Sequence, residues 1–400
     1  MSEWQEIEHQ YYMHTFNRIP LTLVQGRGSR VWDENGREYL DFVGGWAVNS
    51  LGHSHPVIVD AVSEQVRTLI QTSNQFYTIP QLRLAELLVR NSCLDKVFLC
   101  NSGAEAAEGA VKLARRYGKL HLNDAYEVIT AMGSFHGRTL AMVAATAQPK
   151  HQQPYEPLPT GFVNVVYNDI KAIKAATTAH TCAVMLEPIQ AEGGVNLPDN
   201  DYLPAVRDWC NQKGILFILD EIQTGVGRLG TLFAYEQYGV EPDIMCLAKG
   251  LAGGIPVSAI LATNRASVFT PGDHGSTFGG NPVTCAAGYA TLKFIIDNNI
   301  PDNAREMGQY FIAGLENLQR KYSSITDIRG RGLLAAMEFS KDIAQSVLMT
   351  CLEQGLLINR LKPNTLRFMP PLTIGKSDIE EALNILQRTL SNITAEDLSQ

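Results

Sequence analysis

Two apolar runs end in residues that could do chemistry together. Lys249 closes Asp243-Ile244-Met245-Cys246-Leu247-Ala248-Lys249, and Asp220 closes Gly214-Ile215-Leu216-Phe217-Ile218-Leu219-Asp220. Both runs read as buried strands. In an open parallel sheet, ligands bind beyond the carboxyl ends of the strands, where such terminal residues converge. A lysine can form a Schiff base with an aldehyde, and an aspartate can keep a pyridine nitrogen protonated. The pair therefore suits pyridoxal phosphate.

That cofactor needs a cradle for its phosphate. Lys96-Val97-Phe98-Leu99-Cys100 runs into Asn101-Ser102-Gly103-Ala104 and then a helix with a small-residue face of Ala106, Ala110, Leu113, Ala114 and Tyr117. Free amides and the helix dipole make such a first turn an anion site, and Gly103 admits a close backbone approach. Taken alone, the same pattern more often marks an ordinary helix start. In Ser134-Phe135-His136-Gly137-Arg138-Thr139, Phe135 could stack on a heterocycle and Arg138 could clamp a carboxylate. In isolation they would read as core packing and a solvated charge. Glu187 ends another apolar run, Glu192 follows in the next loop, and Arg367 lies in Leu366-Arg367-Phe368-Met369. Gly225-Val226-Gly227-Arg228-Leu229-Gly230 matches a dinucleotide fingerprint, but a polar run separates it from the preceding strand and no long helix follows, so it reads as a loop. His53-Ser54-His55 lacks nearby thiol or carboxylate partners and reads as a loop rather than a metal site.

The elements that must position these residues are legible in outline. Helices are expected near 56–70, 80–91, 102–118, 170–177, 201–213 and 282–296. Strands are expected at 96–100, 126–131, 162–166, 181–187, 214–220, 243–248 and 257–262. Alternation of this kind predicts βαβ units and a large α/β domain on a mostly parallel sheet, over about residues 52–297. Before it, Val31 to Phe42 predicts a hairpin turning at Asn35-Gly36. This N-terminal segment, 1–51, is expected to join a smaller α+β domain formed by residues 298–400. There Met307, Phe311, Leu315, Leu318 and Tyr322 recur at helical spacing, short strands are expected at 331–339, 356–359 and 365–369, and Ser377-Asp378-Ile379-Glu380 reads as a capping box.

Bulk composition narrows the partners. The chain has 400 residues, 45% hydrophobic, with a net charge of -8, which argues against nucleic acid or an anionic membrane as a main partner. The seven cysteines show no zinc-like spacing and fit a reducing cytoplasm. The polar, acidic start Met1-Ser2-Glu3-Trp4 resembles no targeting peptide, and no apolar run reaches the length of a membrane span. A soluble cytoplasmic protein without a bound metal is expected.

In one frame, the motifs resemble the class III, or acetylornithine/ornithine, family of pyridoxal-phosphate aminotransferases, of fold type I. The resemblance covers nearly the whole chain. It is carried by Gly52-His53-Ser54-His55-Pro56, Asn101-Ser102-Gly103-Ala104-Glu105-Ala106, Phe135-His136-Gly137-Arg138-Thr139, Glu187-Pro188-Ile189-Gln190, Asp220-Glu221-Ile222-Gln223-Thr224-Gly225, Leu247-Ala248-Lys249-Gly250 and Ser276-Thr277-Phe278-Gly279-Gly280-Asn281-Pro282. It implies that Lys249 holds the cofactor covalently, that Asp220 pairs with its ring nitrogen and that Gln223 bonds its phenolic oxygen. Phe135 and Ile222 would sandwich the ring. Ser102, Gly103 and Ala104 would bind the phosphate, joined by Thr277 from the other subunit of a homodimer. Arg138 and Ser276 fall to the substrate, and Arg367 to the carboxylate of glutamate or 2-oxoglutarate, with Glu192 screening it in the other half-reaction.

Gly133-Ser134-Phe135-His136-Gly137-Arg138 and Tyr155-Glu156-Pro157-Leu158-Pro159 resemble the acetylornithine branch, which implies transfer of an amino group from N2-acetyl-L-ornithine to 2-oxoglutarate, a step of arginine biosynthesis. Ornithine, 4-aminobutyrate and succinyl-diaminopimelate remain alternative donors, and decarboxylation or amino migration remain alternative reactions. The chain departs from that branch at Ala107, Gly109, Ala191 and Trp46.

Overall fold

The computed structural model describes residues 2–397. An antiparallel hairpin comes early, formed by β1 (Leu23–Arg27), β2 (Arg30–Asp33) and β3 (Glu38–Asp41). Its Asn35-Gly36 turn forms as expected. Asp33 Oδ1 accepts from the amides of Asn35 and Arg37, both at 2.9 Å, and Gly36 takes a φ of 79° that a β-carbon would penalise.

Seven strands then build the central sheet. They are β4 (Lys96–Cys100), β5 (Glu127–Ala131), β6 (Phe162–Val165), β7 (Thr181–Leu186), β8 (Leu216–Asp220), β9 (Ile244–Leu247) and β10 (Ser258–Ala262). Their spatial order is β4-β10-β9-β8-β7-β5-β6, and only β10 runs against the rest. Every residue of β7, β8, β9 and β10 is buried. Helices cover both faces, so these strands read as unbroken apolar runs rather than alternating ones. The Gly103–His121 helix packs across β7, β9 and β10, while Pro282–Asp297 packs on Pro56–Thr68 and Ile79–Arg90.

Beyond the helix Ile300–Lys321, β11 (Ile325–Arg331) and β12 (Leu334–Phe339) form a hairpin. After the helix Ala344–Glu353 come β13 (Leu356–Leu357), β14 (Asn359–Lys362) and β15 (Thr365–Phe368). The second sheet has the order β11-β12-β15-β14, whereas β13 pairs in parallel with β3. Arg30 fastens the same junction, donating to Glu381 at 2.7 and 2.9 Å and to Asp378 at 2.9 Å on the last helix, Lys376–Asp397. The N-terminal hairpin therefore sits against the C-terminal part of the chain.

Three local expectations need correction. The stretch 331–339 is not one strand: it turns at Gly332-Leu333, and β11 precedes it. The sequence hid β11 because its Thr326, Asp327, Arg329 and Arg331 give it the polarity of a half-exposed edge. The 356–359 run divides into β13 and the start of β14, which join different sheets. The last helix opens at Lys376, so Ser377 lies in its first turn and not at its cap. Among the described residues no helix is long and apolar enough to cross a membrane.

The packing of Gly103–His121 is tight enough to test. A β-carbon at Gly118 would stand 2.1 Å from the Ala125 carbonyl oxygen and 2.8 Å from Cys182 Cβ. Gly118→Ala, which raises intrinsic helix propensity by about 1 kcal/mol, should still destabilise the protein by about 1–3 kcal/mol through overpacking. Chemical denaturation of the purified variant measures the sign.

Candidate active site

Adjacent parallel strands deliver the two expected reactive groups to one end of the sheet. Asp220, the last residue of β8, pairs in register with Cys246 of β9, and Lys249 follows three residues later. Lys249 begins a short 3-10 turn with a φ of 42°, an uncommon conformation for a residue with a side chain. Both residues line a cavity of about 380 Å³, within the ordinary range for a small-molecule site. Ser102, Gly103, Ala104, Phe135, Arg138, Glu192, Ile222 and Gln223 line it too.

Asp220 is held on both oxygens. His136 Nδ1 donates to Oδ2 at 2.7 Å and the Ile222 amide donates to Oδ1 at 3.1 Å. The His136 ring is fully buried, and its Nε2 has no partner among the described residues. Lys249 forms no ion pair with Asp220; burial is the largest influence on its amine and lowers its pKa. Glu187 accepts the Phe135 amide at 3.0 Å, and burial followed by the nearby Asp220 pushes its carboxyl well above the usual range.

At the mouth of β4, Ser102 caps the Gly103–His121 helix. Its Oγ accepts from the Glu105 amide at 3.2 Å, while Glu105 accepts the amides of Asn101 and Ser102 at 2.9 and 2.8 Å. The amides of Gly103 and Ala104, at the first two helical positions, have no acceptor within the helix, and with the dipole's positive end they suit an anion. A β-carbon at Gly103 would stand 3.0 Å from Ile222 Cδ1, so only glycine leaves Ile222 in place under the cavity.

Opposite lies an ion-pair network. Arg367, 1% exposed on β15, donates to Glu192 at 2.8 Å, to Gln223 Oε1 at 2.9 Å, to the Ala191 carbonyl at 3.1 Å and to Asn359 at 3.1 Å. Gln223 in turn donates to Glu192 at 3.0 Å. The nearby Arg367 is the largest influence holding the Glu192 carboxyl down, at about 2, against the opposing effect of burial. Arg138 is exposed at the rim, its guanidinium 5.4 Å from the Phe135 ring centroid and its Nη1 3.0 Å from His151 Nδ1.

The family profile for class III aminotransferases matches residues 11–390. The chain belongs to the class III aminotransferases. It is 50% identical over 387 residues to the acetylornithine aminotransferase of Caldanaerobacter subterraneus, covering 96% of this chain and 98% of that one. It is 47% identical to the acetylornithine aminotransferase of Methanocaldococcus jannaschii, covering 98% of each. Among solved structures, the ornithine aminotransferase of Toxoplasma gondii superimposes with a TM-score of 0.95 at 34% identity, covering 98% of this chain and 95% of that one. The acetylornithine aminotransferase of Elizabethkingia anophelis gives 0.87 at 34% identity, covering 97% and 98%. As a class III aminotransferase the chain is a pyridoxal-phosphate-dependent transaminase, with the α/β fold of the fold type I enzymes.

The residues present fit that cofactor: a buried, oriented carboxylate, an amine without a salt-bridge partner and unclaimed first-turn amides face one cavity. Three residues singled out from the sequence do not line the cavity: Arg367, which reaches it through Glu192 and Gln223, and Thr277 and Ser276. Thr277 is exposed and outside the cavity, its carbonyl accepting from Gln71 at 2.5 Å. Ser276 Oγ is engaged by Asn101 at 3.1 Å and by the Gly279 amide at 2.9 Å. His136 and Asn359 received no role from the sequence. His136 stood inside a recognised motif, but nothing in its spacing announced contact with Asp220. Of the departures from the acetylornithine branch, Gly109 has a steric cause, since a β-carbon there would stand 2.3 Å from Ile260 Cδ1. His53, from the candidate metal motif, pairs with Asp41 at 2.7 Å. The glycine-rich 225–230 segment is a loop, as read.

The Glu192 carboxylate should leave a mark on acid stability. Its folded pKa lies below its unfolded value of about 4.3, so its contribution is full above that value and is lost as pH falls through about 2. The stability difference between wild type and Glu192→Gln, on the order of 3 kcal/mol at neutral pH, should shrink between about pH 4 and pH 2. Urea denaturation at stepped pH measures it.

Proposed function

We propose that the enzyme moves the terminal amino group of N2-acetyl-L-ornithine to 2-oxoglutarate, giving N-acetyl-L-glutamate 5-semialdehyde and L-glutamate, in the cytoplasm. The observation that carries the donor is the 50% and 47% identity, nearly end to end, to proteins named acetylornithine aminotransferase. Two cationic side chains, Arg138 in the cavity lining and Arg367 behind Glu192 and Gln223, suit substrates that each bear carboxylates. Seven cysteines without a disulfide among them support the cytoplasmic location.

Pyridoxal phosphate, when bound, supplies an electron sink for the carbon that loses its proton. In this reading Ser102, Gly103 and Ala104 hold its phosphate, Phe135 and Ile222 flank its ring and Gln223 meets its phenolic oxygen. Asp220, oriented by His136, faces the ring nitrogen and keeps it protonated. Lys249 is the attachment point, and once freed its Nζ takes and returns the proton; a lowered pKa favours the neutral amine this work requires. Arg138 binds the α-carboxylate of the donor. Arg367 binds the amino-acid carboxylate of glutamate or 2-oxoglutarate when Glu192 releases it.

A homodimer completes this reading. Large apolar side chains stand exposed along the N-terminal segment, among them Trp4, Tyr11, Met13 and Phe16, and again at Ile70, Tyr77 and Phe278. Patches of that kind mark protein contacts. Thr277, beside Phe278 and outside its own cavity, would then serve the phosphate of the partner, and Ser276 would help shape the substrate side there.

A second donor, ornithine, is favoured by the close superposition on the Toxoplasma gondii ornithine aminotransferase. Initial rates on a panel of N2-acetylornithine, ornithine, 4-aminobutyrate and succinyl-diaminopimelate separate these donors, and N2-acetylornithine should lead. Adding it alone to the purified holoenzyme should deplete the visible absorption of the aldehyde form and raise that of the amine form. Lys249→Ala should lose at least about 10⁴-fold in turnover while keeping its fold, because both attachment and proton transfer depend on one amine. Undiminished transamination by that variant would refute the assignment.

A further inference from the structure

Arg138 is not left to sample rotamers at the cavity rim. The chain folds back after it: Thr139 caps the helix Leu140–Ala145, the His136 amide donates to Thr146 Oγ1 at 2.8 Å, and Ala147 bridges in parallel to Met132. This return brings the short turn Pro149–Gln152 beside Arg138 and places His151 Nδ1 3.0 Å from Nη1. Arginine has no acceptor, so Nδ1 must be the unprotonated ring nitrogen and His151 a neutral imidazole with its hydrogen on Nε2. Burial, then the charges of Arg138 and Lys150, lower the imidazole pKa, with Glu192 opposing, and the neutral form is maintained. The Phe135 ring supports the cluster from a second side, 5.4 Å from the guanidinium carbon and 6.4 Å from the His151 ring in an edge-on arrangement.

We propose that His151 is a positioning residue for substrate binding: by taking one hydrogen bond from Nη1 it fixes the Arg138 guanidinium with its Nε–Nη2 edge free to receive a carboxylate side-on. That edge carries the two parallel N–H groups of a bidentate fork, so the imidazole engages the only terminal nitrogen the fork does not need. The benefit is preorganisation. An exposed arginine otherwise loses side-chain entropy at the moment of binding, and His151 has already taken up that cost in the free enzyme. This inference rests on the reading of Arg138 as a carboxylate-binding residue and adds what orients it.

The test is steady-state kinetics on the holoenzyme with N2-acetylornithine, alongside the affinity of glutarate, an unreactive dicarboxylate, measured by calorimetry. His151→Leu should raise KM and the glutarate Kd about tenfold with kcat changed less than about twofold. His151→Gln, whose amide oxygen can still accept from Nη1, should recover most of that loss. In an Arg138→Ala background His151→Leu should add nothing, since its effect acts only through the arginine. His151→Lys, which replaces the acceptor with a like charge at similar bulk, should raise KM at least as much as leucine and serves if the leucine variant folds poorly. An unchanged glutarate Kd in His151→Leu or His151→Lys, with Arg138→Ala still weakening it, would overturn the inference and leave the assignment of Arg138 standing. An unchanged Kd in Arg138→Ala would remove both.

Discussion

A half-buried amine and a buried carboxylate that face one cavity without pairing with each other are the constraint on which this structure depends. Left alone, Lys249 and Asp220 would gain by forming a salt bridge, because attraction between opposite charges grows as water is excluded. The fold prevents this by occupying Asp220 first. His136 and the Ile222 amide take its two oxygens, so the carboxylate is fixed and partly satisfied before anything enters the cavity. Lys249, given no such partner, carries the penalty of burial in its lowered pKa. The same desolvation that makes an unpaired lysine costly makes it nucleophilic.

Much of the surrounding structure serves that separation. Adjacent strands β8 and β9 bring the pair to one sheet end, and their all-apolar burial makes the register rigid. The β5 strand delivers Phe135 and His136, whose loop is tied down by Glu187 at one backbone amide and Thr146 at the next. Burial, then the nearby Asp220, pushes the Glu187 carboxyl up, which disfavours a further negative charge beside Asp220.

The sequence revealed the parts that chain-local physics controls. The strands of the central sheet were visible because burial on both faces forces continuous apolar runs, and their termini announced Lys249, Asp220 and Glu187. The helix start at 102–104 was visible because an apolar strand runs into Ser102-Gly103 and a helix with a small-residue face. What escaped notice depends on distant partners. His136 reaches Asp220 across 84 positions and Arg367 meets Gln223 across 144, and no spacing rule encodes either contact. The β11 edge strand was missed for a different reason, since half-exposed pairing tolerates polar residues that elsewhere signal a loop.

Arg367 shows how a buried cation is kept beside the cavity. A buried guanidinium cannot stand alone, and Glu192 together with Gln223 and the Ala191 carbonyl satisfies it in the free enzyme. Asn359, the Ala191 carbonyl and Gln223 also accept from the arginine, so in the proposed exchange of Glu192 for a substrate carboxylate one anion would replace another. At 26% side-chain exposure Glu192 is the more accessible member of the pair, against 1% for Arg367, so it is the partner that can swing away. Arg138 needs no such counter-ion because it stands in solvent at the rim, where a neutral imidazole suffices to hold it. The two arginines thus differ by environment: the buried one is paired with an anion, and the exposed one is held by a neutral imidazole.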